Sequence, residues 1–179
     1  MRANEINELL RTILLTGLST RSIADVNVKM AYQPTQQGID LSPTIYFTEL
    51  GSRPYGALTR EDKWNLTDLE EVHTEEQIYE ITYQINALVI EDPTANPGLS
   101  ASDLVKIAQR IINSDVGRQN FRTAGLSLLR PTEIRNPYFK DDRDQFEASP
   151  SFDFTLIQTE AEVTTSPVVE TIVININRI

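Results

Sequence analysis

Between Gln77 and Ile90 apolar and polar residues largely alternate, strictly so from Tyr79 to Ala87. Tyr79, Ile81, Tyr83, Ile85, Ala87 and Val89 fall on one side of the chain, and Glu80, Thr82, Gln84 and Asn86 on the other. Successive side chains of a strand point to opposite faces, so this pattern predicts one long, half-buried β-strand. The same alternation predicts a strand over 26–32, with Val26, Val28, Met30 and Tyr32 on one face and Pro34 as its stop. Another strand is predicted over 44–50, between Pro43 and Gly51. Short strands are expected over 126–130 and 151–157, the latter alternating Phe152, Phe154 and Leu156 against Asp153 and Thr155. A terminal strand is expected over 168–176, with Ile172, Ile174 and Ile176 aligned on one face. These last two read as an antiparallel pair joined near Ser166 and Pro167.

Helical spacing is confined to a few segments. Ile6, Leu9, Leu10, Ile13 and Leu14 form one stripe over 4–18, with Asn4 as the expected cap and Gly17 near the end. Leu104, Ile107, Ala108, Ile111 and Ile112 form a second stripe over about 101–113, started by Ser100 with Asp103 in the first turn. A shorter helical segment is expected over 115–123. All nine prolines fall outside these predicted element interiors, which supports the segmentation because proline breaks helices and central strands.

The order is therefore α-β-β-β-α-β-β-β. It predicts an α+β fold: a mostly antiparallel or mixed sheet with two main helices packed on one face. Residues 51–74 are polar, with Pro54, Gly56 and the sole tryptophan, Trp64. They are expected to be a projecting loop or extended hairpin, a feature usually tied to function at such length. Residues 131–150, with three prolines, are expected to be an irregular connection. A length of 179 residues suits a single domain, 1–179.

Charge changes the picture more than bulk composition does. The net charge is −10. Residues 61–76 and 141–162 carry 14 of the 26 acids and only 2 of the 16 bases. Both segments read as solvated acidic loops. An acidic chain repels phosphate, which disfavours a dedicated nucleic-acid binder. No stretch approaches the roughly 20 apolar residues that cross a bilayer. The first residues lead straight into an amphipathic pattern with Glu5 and Glu8, unlike a signal peptide, so assembly in the cytoplasm is expected.

Candidate chemistry is sparse. With no Cys, disulfides and thiolate metal sites are excluded. The single histidine, His73, lies between acids with no local nucleophile signature. Asp141, Asp142, Asp144 and Glu147 could gather a hard cation, but they lack the calcium-loop pattern. Glu61-Asp62-Lys63 has the E-x-K spacing of some metal-dependent nucleases, yet it falls in the polar segment rather than a predicted strand. No phosphate-cradling glycine motif occurs. These observations predict no catalytic residue, metal or cofactor, and leave a metal-dependent hydrolase or nuclease as the competing class. What remains is a contact surface. Arg53, Tyr55, Arg60, Lys63 and Trp64 gather the residue types that dominate interface hot spots, and Ile172, Ile174 and Ile176 offer a strand for pairing.

Three stretches carry a family resemblance. They are the Asn4–Leu18 helix followed by a strand ending at Gln33 and Pro34, the Gln77–Ile90 strand running into the Ser100–Asn113 helix, and the run from Arg130 to Phe139 followed by Phe152–Ile157 and Val168–Ile176. In this layout the chain resembles bacteriophage tail or neck terminator (tail-completion) proteins. The resemblance implies a structural virion protein without enzyme activity, forming a homo-oligomeric ring, typically a hexamer, at the neck. Its implied partners are the tail tube protein, the head-side connector or adaptor, and a sheath protein if the tail is contractile. DNA would only pass through the lumen, and the acidic segments suit that role because like charge weakens phosphate contact. Another head–tail connector or adaptor role fits the same layout.

Overall fold

The computed structural model describes residues 1–23, 25–31, 42–67, 70–89, 99–140, 146–148 and 150–167. The first helix, α1, spans Ala3–Ser19. It buries Ile6, Leu10, Ile13, Leu14 and Leu18, the stripe that the sequence predicts with Leu9 at its margin. Its cap falls two residues earlier than expected, at Arg2: Asn4 lies inside the helix, and the Glu5 carboxylate reaches back to accept from the Arg2 backbone N–H at 2.8 Å. Gly17 is no terminator. It lies within α1, where an added Cβ would sit 2.4 Å from Cγ2 of Ile111, so glycine there permits close helix approach.

Strand β1 (Asn27–Met30) runs parallel to β2 (Thr44–Asn65), and β2 pairs antiparallel with β3 (Glu70–Leu88). Helix α2 (Ala101–Ile112) and helix α3 (Asp115–Thr123) follow, then β4 (Leu126–Leu128). The α2 start is built as expected, with the Ser100 hydroxyl accepting from the Asp103 N–H at 3.1 Å and donating to its carboxylate at 2.8 Å. Those Ser100 bonds hold the Asp103 carboxyl below its usual range. Within the expected irregular connection, β5 (Tyr138–Lys140) and β6 (Phe146–Ala148) form a small antiparallel pair. The last described strand is β7 (Ser151–Pro167).

The main sheet has the order β1-β2-β3-β7-β4. One parallel pairing among antiparallel ones makes it mixed, and the helices cover one face, so the fold is α+β. Tyr83, Ile85 and Ala87 of β3 are buried on that face with Ile45, Phe47, Phe152, Phe154 and Leu156. Leu104, Val105, Ala108, Ile111 and Ile112 of α2 pack down on them. Tyr83 stacks on Phe154 with ring centroids 5.7 Å apart, and its hydroxyl donates to Asn7 Oδ1 of α1 at 3.0 Å. Burial, with a smaller push from Glu49, raises the Tyr83 phenol, so it remains a donor.

One expectation is made specific and two are corrected. Of the loop and the extended hairpin expected for 51–74, the structure has the hairpin: 51–65 continue strand β2, and β3 begins at Glu70. Strand β7 continues well past 157, so Ser166 and Pro167 lie in that strand, and among the described residues the partners of β7 are β3 and β4. The terminal segment 168–176 lies outside the described residues. Pro54 sits inside β2, against the expectation that no proline does. Among the described residues β2 pairs on one side only beyond Phe47, so Pro54 occupies an edge strand, where a missing N–H costs no ladder bond.

Candidate functional site

Beyond the core, β2, β3 and β7 continue together as a three-stranded arm. Its middle strand is β3: Thr74 is flanked by Glu61 of β2 and Val163 of β7. From Ile81, at the edge of the core, to Glu71, opposite Trp64, the strand rises about 33 Å. Gly56, at φ +76°, lies in the register shift between Tyr55 and Thr59, a backbone conformation that suits glycine at a bulge. Among the described residues the arm has no buried core of its own. Tyr55, Leu58, Trp64, Leu66 and Val163 are all exposed.

Register assigns side chains to faces. The face continuous with the helix-covered side carries Arg60, Asp62 and Trp64 from β2, Glu71, His73 and Glu75 from β3, and Glu160 and Glu162 from β7. The opposite face carries Arg53, Tyr55, Glu61 and Lys63, with Val72, Ile78 and Val163. The predicted contact cluster is therefore divided. Arg53, Tyr55 and Lys63 share one face, and Arg60 and Trp64 share the other. Arg53 pairs with Glu80 at 2.6 Å, and Lys63 pairs with Glu61 at 2.9 Å. Glu61-Asp62-Lys63 lies in a strand after all, but its first and last residues neutralise each other on an exposed face. Trp64 is 48% exposed near the arm's end. Ile172, Ile174, Ile176, Asp141, Asp142 and Asp144 lie outside the described residues, and of Glu147 only the backbone, in β6, is described.

The sequence reading treats His73 as an isolated histidine, and the structure makes it a cross-strand staple. Its Nδ1 lies 2.7 Å from Asp62 Oδ1, and its Nε2 lies 3.0 Å from Ser166 Oγ. A carboxylate only accepts, so Nδ1 donates to Asp62, and in the neutral ring Nε2 accepts from the Ser166 hydroxyl. One imidazole thereby ties β2, β3 and β7. Arg60 Nε also donates to Asp62 Oδ1, at 3.0 Å. These two hydrogen bonds, His73 first, hold the Asp62 carboxyl below its usual 3.8. The ligand atoms of Asp62, Glu71 and His73 lie within 4.8 Å of one another, a spacing open to a cation. The Arg60 guanidinium already places positive charge on the Asp62 oxygen.

A depressed carboxyl contributes stability that is complete above its unfolded pKa and lost as pH falls through its lower folded value. The staple is therefore expected to open below about pH 3.8. Trp64, the sole tryptophan and two residues from Asp62, reports it. Its fluorescence is expected to change in that range and to lose this step in Asp62→Asn. An unchanged acid transition in the variant would show that Asp62 does not control the tip.

The two acidic runs of the sequence also meet here. Glu75 lies directly opposite Glu162, and Gln77 opposite Glu160. Like charges facing each other across a ladder oppose pairing. In the described arm, 59–65, 70–77 and 159–167, eight acids stand against two bases. A signal for these strands existed in Val72, Thr74, Thr159, Val163, Thr164 and Thr165, β-formers at alternate or adjacent positions, but the intervening charges masked it.

No curated protein matches the chain. Among solved structures, the sheath/tube terminator of an extracellular contractile injection system, PVC, in its extended state, shares the fold with a TM-score of 0.54 at 10% sequence identity. The match covers 100% of this chain, which spans 64% of that protein's length. The resemblance to terminator proteins drawn from element order agrees with this fold. A family model described as the E217 gateway protein gp29 matches residues 5–168, nearly the whole length, and the chain belongs to that family.

Proposed function

We propose that this protein is a structural component of the phage virion neck, forming a ring that terminates the tail tube and joins it to the head-side connector. The observation that carries this reading is the family match over 5–168, which takes in both the helix-packed core and the arm. The fold shared with a sheath/tube terminator supports the same placement. The arm supplies the physical means. Among the described residues, β2 beyond Phe47 and β7 beyond Gln158 each leave one side without a strand partner. Unpaired N–H and C=O groups along such edges invite another chain to complete the ladder. The tail tube, a head-side connector, and a sheath where the tail contracts are the partners this reading implies. Ile172, Ile174 and Ile176 remain a proposed pairing strand between subunits. No bond-making step is assigned to the protein.

Negative-stain microscopy of purified protein mixed with tail tubes tests the proposal. Rings seated on tube ends are the expected result. Protein that stays monomeric and never binds tubes would sink it. Rings that bind isolated head connectors but ignore tubes would favour the adaptor role instead.

A further inference from the structure

Two surfaces of this chain complement each other but are placed where they cannot meet within one copy. The first is the arm's tip, which is strongly acidic and carries the exposed indole of Trp64. The second lies on the helices. A groove of about 370 Å³ opens between the end of α1 and the junction of α2 with α3, lined by Ile13, Gly17, Arg21, Ile111, Val116 and Asn120, among others. Ile13 and Ile111 are buried, whereas Val116 is 69% exposed, an apolar side chain at the groove with nothing over it among the described residues. Gly117 lets α3 start tight against α2, because an added Cβ would fall 2.4 Å from the Ile111 carbonyl oxygen. That close start shapes one side of the groove.

The helical surface is basic where the arm is acidic. Residues 101–123 hold four bases, Lys106, Arg110, Arg118 and Arg122, against Asp103 and Asp115. Arg110 and Arg122 are exposed, and Arg21 lines the groove itself. On the arm, Glu71, Glu75, Glu160 and Glu162 share the face of Trp64. Among the described residues, Arg60, opposite Glu75, is the cation beside the Glu75–Glu162 juxtaposition. A cationic surface from outside would relieve it. Arm and groove are kept apart in one copy because Trp64 is held about 33 Å along β3 from the core.

We propose that the arm tip of one copy docks on the helical face of a second copy, with Trp64 seated in the α1/α2/α3 groove and the arm's carboxylates facing Arg21 and Arg110. This rests on the ring reading above and names its contact. Tryptophan and arginine are the side chains that anchor interfaces, and a guanidinium beside an indole adds cation–π attraction. Because the two surfaces differ, the contact is head-to-tail, the kind that generates rings when the rotation closes. Its charge content makes it weaken with salt.

The chain has no cysteine, so introduced thiols report contacts without background. Leu66 is exposed at the tip beside Trp64, and Thr20 is exposed at the groove. The double variant Leu66→Cys/Thr20→Cys, oxidised in the presence of tail tubes, is expected to give a ladder of covalently joined subunits on non-reducing gels. Leu66→Cys/Leu50→Cys, with Leu50 exposed in β2 near the arm's base, is expected to give about tenfold less. Adding Trp64→Ala to the first pair is expected to remove the ladder without shifting the thermal unfolding of the chain. Rings visible by microscopy with no ladder, or a ladder untouched by Trp64→Ala, would overturn the docking while leaving the ring intact. Neither rings nor ladder would overturn both.

Discussion

Replacing Thr74 by proline is expected to abolish assembly while the helix-packed core still folds. Thr74 is a central-strand residue, with Glu61 on one side and Val163 on the other. Proline there removes a ladder N–H and forces its ring between two bonded neighbours, which a central strand does not accommodate. The arm has little with which to absorb that loss, because its side chains bury no shared core. A β-ribbon without an apolar face is only marginally stable in water. The core begins at Ile81, several residues away, and keeps its own helix contacts. Circular dichroism melting is expected to stay close to wild type, and rings on tubes are expected to vanish. A collapsed melt would show that arm and core fold as one unit, and intact rings would show that the arm is dispensable. Pro54 is the natural control, being a proline tolerated one strand over because its position lies on an edge.

Phe154→Ala is expected to have the largest effect on folding itself. Phe154 is 1% exposed, lies opposite Tyr83 in the ladder, and sits against both Tyr83 and Phe152. Truncating a buried phenylalanine costs about 3–5 kcal/mol, from lost transfer energy and the cavity left behind. For a chain of 179 residues this corresponds to a fall in Tm of roughly 6–20 °C. Urea unfolding followed by circular dichroism measures it. A loss below about 1 kcal/mol would mean that the sheet–helix interface is not the main source of stability. Thr74→Pro and Phe154→Ala together separate the two halves of the molecule, since one is expected to spare the fold and the other to weaken it.

The core was legible because its elements are amphipathic. Ile6, Leu10, Ile13 and Leu14 keep helical spacing, Tyr83, Ile85 and Ala87 keep strand spacing, and each set is buried where its period places it. Ser100 and Asp103 cap α2 through local bonds that need no tertiary partner. The arm was legible only as a projecting loop or extended hairpin. Its strands bury no face, so no hydrophobic period marks them, and acidic residues in a row read equally well as loop. The contact residues suffered most from this. Arg53, Tyr55, Arg60, Lys63 and Trp64 are close in sequence, but alternation along β2 and the bulge at Gly56 send them to opposite faces.

By itself, the chain's pattern determined which residues enter the core, where the two principal helices lie, and that no thiol chemistry is possible. Those properties depend on side-chain type and local spacing. Only the tertiary structure decided that β3 threads between β2 and β7, bringing Glu75 against Glu162 and His73 between Asp62 and Ser166. The His73–Ser166 contact joins residues 93 positions apart. Ladder register sets such pairings, through backbone bonds common to every residue type, and so they leave no mark on the order of the amino acids.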